Sequence, residues 1–261
     1  MITKLIVSLV LLPAIALTAL PEIASATTDG ETSQTSRISA EPNITGVWER
    51  YPSPFPEGLT DTEEIPAPGT GPNLKEPYAS EWRAKRERRN AALRAGTPLV
   101  DASTNCLPEG TPGIMQAIYP IQILQTPGQI TVLAELFMQT RRIYLDIPLP
   151  PADEIAPSYF GMSAAEWDGD TLIVKTRGIQ KSLEFFEIPH SDKMLVTERY
   201  RLIAPDMLKL DITIEDPEYL NTPYQFTWEY KRNDEYRLSE YVCDSRLDVI
   251  NPDGTVSMRV D

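Results

Sequence analysis

The sequence predicts a mainly β protein: an antiparallel up-and-down β-barrel preceded by one basic helix. Three observations carry this. From Gly113 onward the apolar residues recur with period two, and turn signals follow at short intervals. Two stretches alternate fully. Leu208, Leu210, Ile212 and Ile214 oppose Lys209, Asp211, Thr213 and Glu215, and Tyr224, Phe226, Trp228 and Tyr230 oppose Gln225, Thr227 and Glu229. After Gly96 no long helical pattern appears, which argues against a doubly wound α/β fold. Successive antiparallel strands with one apolar face form a meander that packs on itself. About eight to ten such strands suggest a closed barrel, with a two-sheet sandwich as the alternative.

The first 26 residues, MITKLIVSLVLLPAIALTALPEIASA, have the build of a secretory signal peptide. Lys4 supplies the charged start, Leu5 to Leu20 the apolar run, and Ala24-Ser25-Ala26 the small-residue cleavage site. The expected product is periplasmic or secreted and keeps no stable membrane anchor. Residues 27–42, rich in Thr, Ser, Gln and Glu, read as a disordered leader. Residues 43–112 hold a first strand (NITGVWERY), a proline-rich wrap and a helix. In the wrap, Pro52, Pro54, Pro56, Pro66, Pro68 and Pro72 remove ladder donors.

The helix is PYASEWRAKRERRNAALRA, from Pro77 to Ala95, with Gly96 as its stop. Its arginines and lysine lie on a chain of net charge −14. A charge run of this kind most simply lies across an acidic domain and neutralises part of it. The acidic balance itself argues against nucleic acid as a partner.

Residues 113–261 are expected to form the barrel core. IMQAIYPIQILQ leads into the turn Thr126-Pro127-Gly128, and QITVLAELFMQTRRIYLD gives two strands with a bend near Met138. SYFGMSAAEWDGDTLIVKT is a hairpin across Asp168-Gly169. MLVTERYRLIAPDMLKLDITIED gives two strands around Ala204-Pro205-Asp206, and YQFTWEYKRNDEYRLSEYVC a hairpin around Asn233-Asp234. Cys106 and Cys243, an even pair in an exported chain, are expected to form a disulfide.

Gly46-Val47-Trp48 resembles the Gly-x-Trp motif that opens the lipocalin (calycin) barrel. NCLPEGTP, QILQTPGQITVLAE, EWDGDTLIVKT and PHSDKMLVTERYRL together resemble a family of exported bacterial proteins. The resemblance covers roughly Gly46 to Cys243. It implies a lipocalin-like barrel and supplies no activity. It also implies that Trp48 packs at the closed end against a basic residue of the last strand, for which Arg237 or Arg246 is available. The proline-rich insert and helix after Trp48 depart from the lipocalin pattern.

The sequence has no Gly-rich phosphate loop, no GxSxG elbow and no set of ligands for a usual zinc site. No cofactor is expected. The candidate chemistry rests on polar residues set on apolar strand faces. Alternation puts Glu198 inside with Val196, Tyr200 and Leu202, Glu240 with Leu238 and Val242, and Glu135 with Leu133 and Phe137. A buried carboxylate needs a partner, and such positions suit acid/base work or a ligand's polar group. His190 is the only histidine and lies between Pro189 and Ser191-Asp192, at a strand mouth. With Glu198 or Glu240 it could serve as a general base.

Three readings follow. The first is a binding module for a small apolar or aromatic molecule, lined by Tyr200, Phe226, Trp228 and Tyr230 with Glu135. The second is a cofactor-independent isomerase, lyase, cyclase or hydrolase using His190 and a buried Glu. The third is a structural protein with a solid barrel.

Overall fold

A computed structural model describes residues 41–54, 66–244 and 248–258. The expected signal peptide and the leader up to residue 40 lie outside these residues. The barrel strands are β1 (Gly46–Tyr51), β2 (Ile121–Thr126), β3 (Gln129–Ala134), β4 (Gln139–Leu145) and β5 (Met162–Asp168). They continue with β6 (Thr171–Arg177), β7 (Leu195–Ala204), β8 (Met207–Glu215) and β9 (Tyr224–Arg232). These nine strands form a closed barrel in sequence order, with β9 pairing back on β1. The two-sheet sandwich is therefore excluded.

Alternation decides what fills the barrel. Every second residue of β8 and β9, from Leu208 to Ile214 and from Tyr224 to Tyr230, is buried, and the intervening residues are not. Ile121, Ile123, Ile130, Val132, Leu172, Val174 and Val196 complete one continuous core with them. The turns at Thr126–Gln129, Asp168–Thr171 and Ala204–Met207 fall where the sequence places them.

Three expectations are corrected. The barrel is not wholly antiparallel: β4 and β5 run parallel, pairing Ile143 with Ser163 and Leu145 with Ala165. Residues 146–161 make the crossover this requires. The hairpin expected around Asn233-Asp234 does not form, because β9 ends at Arg232 and residues 233–244 have no strand. The edge of β9 is already taken by β1, through Trp48–Arg232 to Tyr51–Glu229. The barrel core also extends beyond residues 113–261, since β1 belongs to it. A small hairpin, β10 (Asp248–Ile250) with β11 (Val256–Met258), lies outside it.

One end of the barrel is closed. Trp48 is fully buried there, and the Arg232 guanidinium lies 4.4 Å over its ring. Arg232 also donates to the Thr45 carbonyl. The basic residue of the last strand is thus Arg232, not Arg237; Arg246 lies outside the described residues. The other end, the mouth, is covered by helix α1 (Tyr78–Arg94) and by residues 178–194. Trp82 Nε1 donates to the Phe186 carbonyl at 3.0 Å. Arg86 and Arg89 pair with Glu187 at 2.8 and 3.1 Å, and Lys85 pairs with Glu184. Much of the basic face is therefore spent on the domain's own acids. Cys106 and Cys243 form a disulfide across 137 residues, as suits an oxidising compartment. Among the described residues no helix is long and apolar enough to cross a membrane.

Candidate functional site

Two polar clusters hold Glu198, Tyr200 and His190 of the residues that the sequence singles out. The clusters are separate, and neither brings His190 to Glu198.

The first lies inside the barrel. Glu198 on β7 points inward with Tyr200, as alternation requires, and both are buried. Its partner is Arg141 on β4, fully buried and 57 residues away in sequence. Arg141 Nη1 donates to Glu198 Oε1 at 2.9 Å, and Nη2 donates to Oε2. Nη2 also meets Ser163 Oγ at 3.2 Å and Thr176 Oγ1 at 3.0 Å. The Tyr200 hydroxyl donates to Glu198 Oε1 at 2.9 Å. Among the described residues only Arg141 Nε in this cluster lacks a partner.

Burial pulls the Arg141 guanidinium down, but the Glu198 charge and its hydrogen bonds outweigh burial and leave it above the usual arginine value. Burial first, then the Glu198 charge, pushes the Tyr200 hydroxyl well above the usual tyrosine range. The Glu198 carboxylate is thus one half of a fully buried ion pair. Removing one partner of such a pair costs about 3–5 kcal/mol.

The second cluster is at the mouth. His190 is buried, with Nδ1 3.0 Å from the Ser191 carbonyl and Nε2 2.9 Å from the Leu183 carbonyl. Both ring nitrogens are engaged by backbone. Beside it Asp216, buried and not singled out in the sequence, collects Ser191 N at 2.6 Å, Ser191 Oγ at 2.8 Å, and the Glu218 and Tyr219 amides. His190 links Leu183 to Ser191 within the covering segment, while Asp216, through Ser191, ties that segment to the β8–β9 connection. Its Asp216-Pro217 step is the sequence signal that could have found it, since Asp and Pro both favour tight turns.

His190, Asp216, Leu183, Phe185, Ile214 and Tyr224 are among the residues lining a cavity of about 20 Å³ under the cover. That is enough for roughly one water. Phe185, half-buried, forms part of the cavity wall. Its ring is stacked on Phe226 at 5.8 Å and edge-on to Trp228 at 5.9 Å. Trp228 also carries the Arg50 guanidinium 4.7 Å above its ring. Burial, the largest influence, lowers Arg50 from its ordinary value. Tyr230 donates to the Met115 carbonyl, and burial raises its hydroxyl far above the usual value. Tyr200, Phe226, Trp228 and Tyr230 are all buried, as expected.

The remaining candidates lie elsewhere. Glu240 is exposed and on no strand, which corrects its inward placement. Glu135 is buried, but at the turn after β3. It accepts from the Tyr236 hydroxyl at 2.8 and 3.0 Å and from Ser239 N at 2.8 Å, so it anchors residues 236–239 to the rim. Glu109, unmarked in the sequence, sits at the mouth against Gln139. Burial pushes its carboxyl up to about 7, although the Gln139 amide works the other way. Among the described residues no group of three or more His, Cys, Asp or Glu side chains is arranged to hold a metal ion. In comparisons with known proteins, no family model matches the chain and no curated protein matches it.

Proposed function

We propose that the protein is an exported barrel that binds a small aromatic or apolar molecule at its mouth. The observation that carries this reading is the placement of Phe185. A loop-borne ring rests on the barrel's aromatic face, on Phe226 and Trp228, where a ring-bearing ligand would rest. With Phe185 in place the cavity is too small for such a ligand, so binding displaces that ring.

The cover is suited to this. Phe186 and Glu187 both take left-handed backbone conformations, at φ 51° and 57°. Each such residue costs about 1–2 kcal/mol, which opening the segment would return. The Trp48–Arg232 pair supports a lipocalin-like plan. The Cys106–Cys243 bond supports the export reading of the first 26 residues.

Isothermal titration of the folded chain with indole tests the proposal. Saturable binding is expected, tightened at least tenfold in Phe185→Ala, because the lost ring leaves an apolar space of its own shape. No binding by a Phe185→Ala protein that circular dichroism shows to be folded would overturn it.

A further inference from the structure

A larger concavity lies on the outer wall of the barrel. Its volume is about 680 Å³, within the usual range of ligand sites. Ala164, Ile173 and Leu195, from β5, β6 and β7, form an apolar floor. Ile147, Pro148 and Leu149 form one wall, because the chain leaving β4 does not turn back as a hairpin. It hangs from β5 by the Asp146 amide, bonded to the Ala165 carbonyl at 3.0 Å.

Charge is divided along this groove. Asp146 and Glu166 stand towards its closed-end side, and Lys175 and Arg177 towards the mouth side. Among the described residues neither cation has a carboxylate within ion-pair distance, on a chain whose net charge is −14. In the β5–β6 ladder Glu166 faces Ile173, Ala164 faces Lys175, and Met162 faces Arg177. The basic end is thus two to four residues from the acidic end, or roughly 7–13 Å at a strand rise of ~3.3 Å.

We infer that this groove is a second ligand site, for a short extended peptide with free termini. An extended chain of about four residues spans roughly 13 Å. Its amine would meet Asp146 and Glu166, its carboxylate would meet Lys175 and Arg177, and apolar side chains would cover the floor between them. β5 is laddered on both sides, so the peptide is held by its ends and side chains and not as an added strand. The site is independent of the mouth.

The test is an amide-shift titration of the folded chain with a valine-rich tetrapeptide. Saturable shifts are expected at Ala164, Ile173 and Lys175. Amidating the peptide's C-terminus should weaken binding at least fivefold, and Lys175→Gln with Arg177→Gln should erase that difference. Acetylating the N-terminus should act likewise, through Asp146→Asn and Glu166→Gln. Phe185→Ala should leave the affinity unchanged. Absence of shifts at these residues, or equal binding of free and blocked peptides, would overturn the inference.

Discussion

At the Trp48 end, the β2–β3, β5–β6 and β7–β8 connections are two-residue turns, so the ladders run to the rim. At the mouth, β6 to β7 takes residues 178–194 and β8 to β9 takes residues 216–223. The closed end is held by backbone pairing and by a buried indole under a guanidinium. The mouth is held largely through side chains: Trp82 to the Phe186 carbonyl, Arg86 and Arg89 to Glu187, and Tyr78 stacked on Tyr219 at 3.9 Å. Backbone ladders fail together, whereas side-chain clasps can fail one at a time. The same barrel therefore has one end that reports global stability and another that can open locally.

The largest effect should come at the closed end. Trp48→Ala should cost about 3–5 kcal/mol in urea denaturation, as expected for a fully buried indole. A loss under ~1 kcal/mol would erase the contrast.

Next is Glu109 at the mouth, whose carboxyl is raised from the ordinary 4.5 to about 7. The native state then holds its proton more tightly than the unfolded state does. Stability is unaffected by this group below about pH 4.5, falls as pH rises towards 7, and stays lowered above that, by on the order of 2–3 kcal/mol. Glu109→Gln should therefore be more stable than the parent at pH 8 and equal to it at pH 4.5, in thermal melts at the two values. A gain of the same size at both would show that charge burial is not the cause.

The smallest effect should be Trp82→Phe, which loses one N–H bond to the Phe186 carbonyl and should cost about 1 kcal/mol or less. Hydrogen exchange should nevertheless quicken at residues 183–190 and not in β2 or β3. Uniform quickening would mean that the mouth is not a separate unit.

The strands were legible because alternation is imposed by strand geometry and survives any partner. Glu198 and Tyr200 could be placed inside on that ground alone. Arg141 could not, because Gln139, Arg141 and Ile143 make a mixed face, and its partner depends on β4 and β7 confronting each other across the barrel. Glu240 failed for a related reason. Leu238-Glu240-Val242 alternates, but a strand also needs a free edge, and β1 had taken it. His190 was placed correctly at a strand mouth; its engagement by two carbonyls depends on a loop path that no local pattern encodes.

The parallel β4–β5 pair follows from arithmetic. In a closed ring of strands taken in sequence order, directions can alternate all the way round only if the number is even. Nine is odd, so at least one neighbouring pair must run the same way, and here there is one such seam. An insertion that added a tenth barrel strand, or a loss that left eight, would remove the parity mismatch that makes the seam obligatory. The 146–161 crossover could then shorten to a turn, and the groove beside it would lose its wall.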